Sequence, residues 1–300
     1  MKDIGIVFSG GGGKGPYQIG VWRYLTESGL CKNVGAVSGT SIGALNAALF
    51  VSGDIEKVEN IWRNMSPSDI LTPKKITPAS ISSWLSLGVG VLALATAPLL
   101  DPLGLTGAAG LLGLSHSATS LFAAQGSVFT QEGMQYQIEQ GICYEKLIAS
   151  DIPCYATCLN IGIPKHKPYA QRFDLRKFGH DDVASILMAS AAIPCVYDPV
   201  EINGEKYCDG GFTRFGDNVP VSPVYEEGMK KIIVIHLSND GPTDKARFPD
   251  ADIIDILPSV DLGGLINGTM DFSAQGAVSR MEIGYKDAHA VLDARLNELL

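Results

Sequence analysis

Ser41 stands in the stretch Gly39-Thr40-Ser41-Ile42-Gly43, between the apolar run Val34–Val37 and a helix-like segment, Ala44–Val51. A serine at the apex of a strand–turn–helix, with a glycine two places away on each side, is arranged as a nucleophile. The glycines let the chain turn sharply and let the flanking elements pack closely, so the hydroxyl stands clear of the sheet. Such a hydroxyl attacks an acyl carbon. The plainer alternative is that Ser41 only caps the helix beginning near Ile42, because serine is a favoured N-cap.

A second segment with chemical potential lies upstream. The strand-length run Ile4–Phe8 is followed by Ser9, then by Gly10-Gly11-Gly12-Gly13-Lys14-Gly15, then by a helix-like segment, Tyr17–Leu30. A glycine run between strand and helix frees several backbone N–H groups to point at one anion. Gly10, Gly12 and Gly15 fit G-x-G-x-x-G, but the second strand closes in Ser38 and Gly39, without the acid a dinucleotide site needs. The P-loop reading fails too, since Phe8 replaces its first glycine and Gly15 its Ser or Thr. The anion is therefore read as a transient oxyanion. Removing one donor to such an oxyanion costs ~3 kcal/mol of barrier.

Asp209-Gly210-Gly211 follows an expected hairpin with arms Pro199–Ile202 and Glu205–Cys208, joined by Asn203-Gly204. Alone, an Asp before two glycines reads as a turn residue. Beside a nucleophilic serine it becomes a candidate general base.

Taken together, these segments resemble the patatin-like phospholipases. Ala189-Ser190-Ala191-Ala192-Ile193-Pro194, Asn218-Val219-Pro220, Gly228 and Gly284-Tyr285 are similar to that family in order and spacing. The resemblance covers residues 1–65 and roughly 125–290. It implies a catalytic dyad of Ser41 and Asp209, an oxyanion hole from the backbone of Gly11, Gly12 and Gly13, and a basic loop position at Lys14. Gly10, Gly15, Gly39, Gly43, Gly210 and Gly211 complete the matching motifs. The implied activity is hydrolysis of the acyl esters of membrane glycerophospholipids, with no metal and no cofactor. The resemblance also permits an activator-dependent, membrane-damaging effector, a toxin or an antiphage protein, held inactive until a cyclic nucleotide or a protein binds and drives homo-oligomerisation.

The rival enzyme reading is an α/β-hydrolase triad in the order Ser…Asp/Glu…His. His236 and His289 follow Asp209, but His236 falls in the apolar run Ile232–Leu237 and His289 on an expected helix. His116, His166 and His180 precede Asp209. All five histidines are read as non-catalytic.

The elements that must position these residues are strands near 3–8, 33–38, 152–160 and 231–238 and helices near 16–29, 42–52, 54–65, 182–191 and 270–298. Their alternation predicts one α/β domain over residues 1–300, a three-layer α/β/α sandwich around a largely parallel sheet. The net charge of −9 argues against nucleic-acid binding, so any membrane affinity must be local or apolar. Six scattered cysteines, and a start at Met1-Lys2-Asp3-Ile4 with no room for a signal peptide, predict a cytoplasmic protein with free thiols that associates peripherally with membrane. Cys154 and Cys158 would lie about 13 Å apart on a strand, too far to share a metal.

Residues 67–124 depart from the family pattern. Trp84–Ala124 contains one acid, Asp101, and no Lys or Arg. Its longest apolar stretch, Leu87–Leu100, is 14 residues, short of the ~20 a spanning helix needs. A pair of buried helices is the first expectation for this insertion. A lid, a bilayer contact and a self-association surface are the functional alternatives.

Overall fold

Ile4–Phe8 forms β1, and all five residues are buried. The computed structural model describes residues 2–74, 127, 129–162, 167–194, 196–213 and 215–300. Trp84–Ala124, His116, His166 and Cys195 lie outside the described residues. From the N-terminus, β1 leads to α1 (Pro16–Glu27), β2 (Val34–Thr40), α2 (Ile42–Ser52), α3 (Ile55–Asn64) and α4 (Pro67–Ile70). The middle of the chain holds β3 (Thr72–Pro73), β4 (Phe129–Thr130), α5 (Glu132–Gly141), α6 (Tyr144–Ile148), β5 (Cys154–Asn160), β6 (Tyr169–Asp174) and α7 (His180–Ser190). There follow β7 (Val200–Ile202), β8 (Glu205–Asp209), α8 (Val221–Glu226), β9 (Lys231–Ile235), β10 (Asp252–Ile256), α9 (Ala274–Leu292) and α10 (Leu296–Leu299).

Among the described residues the main sheet runs β10-β9-β1-β2-β5-β8-β7, with β6 on β5. The pairs from β10 through β5 are parallel, and β6, β7 and β8 are antiparallel additions. Side chains alternate across β1. Ile4, Ile6 and Phe8 enter the larger core with Tyr17, Ile19 and Leu45, while Val7 joins Val221, Val224 and Ile232 on the other face. Helices therefore cover both faces of a mostly parallel sheet, which is why β1 is a continuous apolar run. β7 and β8 form the expected hairpin, with Asn203 and Gly204 both at positive φ, as a type I′ turn requires.

Several boundaries differ from the sequence reading. β2 continues to Thr40, directly before the turn. β9 stops at Ile235, so His236 lies just past the strand rather than inside it. The last helix begins at Ala274, where the Ser273 side chain accepts from Gly276 N–H, and a single π-helical turn, Leu265–Thr269, precedes it. Pro67–Pro73 belongs to the body of the fold: α4 is opened by a capping box at Ser66 and Asp69, and Ile70 is buried.

Candidate active site

β5 acts as a ruler for the two halves of the site. Its Cys154–Thr157 half pairs with β2, Thr40 opposite Thr157. Its Cys158–Asn160 half pairs with β8, Asp209 opposite Cys158. Because β6 occupies the other edge along that half, β2 and β8 must lie end to end on one edge of β5. The residue after Thr40 and the last residue of β8 therefore meet.

Ser41 occupies a sharp elbow between β2 and α2, with φ 58° and ψ −130°. A non-glycine residue at positive φ is uncommon and is retained only where surrounding contacts impose it. Here the contacts are specific. A Cβ on Gly39 would stand 2.2 Å from Gly43 O, and one on Gly43 would stand 2.2 Å from Phe8 O. The Ser41 N–H donates to Ser190 Oγ at 2.9 Å, and that hydroxyl donates to Thr157 O at 2.7 Å. Ser190 thus ties the elbow to β5 through α7. The Ser41 carbonyl accepts Ala44 N–H at 2.9 Å, but its side chain makes no cap bond to the helix. The helix-cap alternative is not what the side chain does.

The Ser41 side chain instead stands beside the Asp209 carboxylate and lowers its pKa. Asp209 is 5% exposed and accepts Gly211 N–H at 2.8 Å. Burial lifts its pKa to about 6, against the influence of Ser41 and the Gly211 N–H, and no cation among the described residues pulls it back. The neighbouring Cys158 and Cys208 thiols are pushed far up by burial and are neutral at physiological pH. The pair is thus a hydroxyl beside a carboxylate of intermediate basicity.

The glycine loop packs against this pair. A Cβ on Gly10 would lie 3.2 Å from Ser41 Cβ and 2.3 Å from Asn218 Oδ1. The same Asn218 oxygen lies 2.1 Å from where a Gly211 Cβ would stand, so one amide side chain fills the gap between the loop and the turn after Asp209. Gly12 has φ 57° and bears on Thr269 O, where no side chain could fit. The amides of Gly11, Gly12 and Gly13 have no hydrogen-bond acceptor among the described residues, whereas those of Gly10, Lys14 and Gly15 do. Of the three, Gly12 borders the cavity beside Ser41. Half-buried Lys14 is turned toward Gly268, and burial lowers its pKa against the pull of Asp261 and Asp240.

That cavity has a volume of about 740 Å³, open mouth included. Ser41 and Gly12 lie in its wall, and most of the remainder is apolar, including Leu45, Leu49, Trp62, Met134, Ile138 and Phe272. Gly141 also lines it, and a Cβ there would stand 2.8 Å from Leu49 Cδ2. Such a lining suits a hydrocarbon chain.

The described histidines sit elsewhere. His236 Nε2 is 2.8 Å from Asp255 Oδ1, which also accepts from the Thr243 N–H and hydroxyl. His289 is exposed and pairs with Asp293, and His180 pairs with Asp181. Two residues with roles at the site were not legible beforehand as such. Ser190 was noted only within a similar run of residues, and Arg280 carried no sequence signal, although it is buried and donates to Gly13 O.

A family model described as patatin-like phospholipase matches residues 6–225. No curated protein matches the chain. Among solved structures, VipD from Legionella pneumophila is similar at 16% identity and a TM-score of 0.50, over 98% of this chain and 67% of VipD. The type III effector protein ExoU is similar at 16% identity and a TM-score of 0.47, over 98% of this chain and 53% of ExoU. This chain therefore spans about half the length of ExoU. At that identity the likeness to VipD is one of fold.

Proposed function

We propose that this chain, which belongs to the patatin-like phospholipase family, hydrolyses the fatty-acyl esters of membrane glycerophospholipids through an acyl-enzyme on Ser41. The observation that carries this reading is the strained Ser41 elbow in the wall of an apolar cavity, with the buried Asp209 carboxylate beside Ser41. Asp209 takes the hydroxyl proton as Oγ attacks the ester carbonyl, and the developing oxyanion turns toward the free amides of the glycine loop. The leaving alcohol receives that proton and departs as lysolipid. Asp209 then deprotonates a water, which attacks the acyl carbon. Fatty acid leaves as the Ser41 hydroxyl is restored. A carboxylate with a pKa near 6 is a better base than one at its ordinary value and is still ionised at pH 7.

The triad reading finds no support in the placement of His236 and His289, each of which is occupied by another acid. Peripheral contact with membrane is supported by exposed apolar residues on both sides of the site. Phe212 follows the Asp209 turn, and Leu265 and Ile266 open the turn whose Thr269 backs Gly12. Among the described residues no helix is long and apolar enough to cross a membrane.

The test compares wild type, Ser41→Ala and Asp209→Ala on a soluble fluorogenic ester and on phospholipid vesicles, with mass spectrometry for an acyl group on Ser41. Loss of both activities in each variant, with folding intact, is expected. Turnover persisting in Ser41→Ala, or surviving Asp209→Ala but not His236→Ala, would overturn the dyad.

A further inference from the structure

Arg280 lies on α9, outside the matched residues 6–225, yet it is 6% exposed and reaches the glycine loop. Its Nη1 donates to Gly13 O and to Asp271 O, both at 3.1 Å. Its Nη2 donates to Asn267 O at 3.0 Å and to Asp271 Oδ2 at 2.8 Å. Desolvating a guanidinium is tolerable only when its donors are used, and here three main-chain carbonyls and one carboxylate use them. The same 267–271 segment forms the wall behind the loop. Thr269 O stands where a Gly12 Cβ would be, and Asp271 O where a Gly13 Cβ would be.

A run of glycines has no side chains to hold it and the most backbone freedom to lose. The internal bonds of this loop, Lys14 N–H to Gly11 O and Gly15 N–H to Gly12 O, close single turns and fix nothing relative to Ser41. Beyond its junction with α1, three bonds among the described residues tie its backbone to other segments. Gly10 N–H donates to Asn218 O at 3.1 Å, Gly13 O accepts from Arg280, and Gly15 O accepts from Asn46 Nδ2 at 3.1 Å. The amides of Gly11, Gly12 and Gly13 lie between the first two of these anchors.

We propose that Arg280 is a positioning residue for the reaction: by holding the Gly13 carbonyl against the 267–271 segment, it fixes the loop amides where the oxyanion on the Ser41-bound substrate develops. This rests on the hydrolase reading above. Its consequence is that residues beyond 225 are part of the catalytic apparatus. A lysine cannot replace the planar fork, because one ammonium cannot span four acceptors.

The experiment uses Arg280→Lys and Arg280→Gln in the full chain, with Ser41→Ala alongside. It measures kcat and KM on a soluble ester, inhibition by an acyl trifluoromethyl ketone that adds to serine as an oxyanion, and binding of a non-hydrolysable ether lipid. A donor misplaced by an ångström costs on the order of 100-fold in rate. We expect kcat to fall about 30- to 100-fold in Arg280→Gln and about 10-fold in Arg280→Lys, with KM and ether-lipid binding changed by less than about 3-fold. Ketone inhibition should weaken in step with kcat/KM. A purely structural role would lower ether-lipid binding and ketone inhibition together, and that outcome overturns the proposal. So does a folded variant that keeps kcat and ketone inhibition within twofold, with Arg280→Lys deciding alone if Arg280→Gln does not fold. An active Ser41→Ala removes the hydrolase reading and this inference with it, whereas an inactive Ser41→Ala beside unimpaired Arg280 variants removes only the inference.

Discussion

Asp209→Asn should abolish hydrolysis and stabilise the fold, by an amount that depends on pH. The Asp209 pKa rises from an ordinary 3.8 to about 6, chiefly through burial. Each unit corresponds to 1.36 kcal/mol, so the ionised carboxylate costs the folded state about 3 kcal/mol. The sign follows from linkage. The folded protein holds this proton more tightly than the unfolded chain, so stability falls as pH rises from about 4 to about 6 and stays lower above that. An asparagine carries no charge to desolvate and keeps an oxygen for Gly211 N–H, but it loses the carboxylate's favourable interaction with Ser41. After that loss the variant should be about 1–3 kcal/mol more stable than wild type at pH 8 and near equal at pH 4. The assay is urea unfolding at both pH values, joined to a wild-type pH–rate profile. In the profile kcat/KM should climb below pH 6 and level off above it, because the base must be ionised. An Asp209→Asn variant destabilised at pH 8, or differing equally at pH 4 and pH 8, would refute the reasoning, as would a flat profile.

Ser190→Ala should remove the acceptor of Ser41 N–H and leave that buried amide unpaired, costing about 1–3 kcal/mol in thermal or urea unfolding. Turnover on a soluble ester should fall about 10-fold or more as the elbow relaxes, and unchanged turnover would show that the elbow holds without it. Gly141→Leu should push the Leu49 side chain aside, narrow the cavity and shift preference to shorter acyl chains, read from a series of esters at matched concentration. Retained activity on the longest esters would place the chain elsewhere. Ile266→Glu should spare a soluble ester and reduce hydrolysis of vesicle lipids about 10-fold, and equal effects on both substrates would remove this turn from the membrane-facing surface.

Short-range chemistry was written in the sequence. Gly39–Gly43 and Gly10–Gly15 announce close approaches that admit no Cβ, Asn203-Gly204 announces a turn at positive φ, and the apolar runs around them announce strands. The resemblance to patatin-like phospholipases rested on the two glycine segments together with Asp209-Gly210-Gly211 and the matching runs around it, and the family match over residues 6–225 agrees with it. The strand boundary at His236, the split of the last helix region and the placement of Pro67–Pro73 were not legible, because they depend on which partner each segment meets. The resemblance implied the Ser41–Asp209 pair, and the tertiary structure shows what brings Asp209 to Ser41. That meeting requires β2 and β8 to share one edge of β5, a matter of register between segments far apart in the chain. It also assigned Ser190 to the Ser41 amide and Arg280 to the Gly13 carbonyl. Both bonds end on main-chain atoms, which every residue carries, so no pattern of side chains in the sequence could mark where they would form.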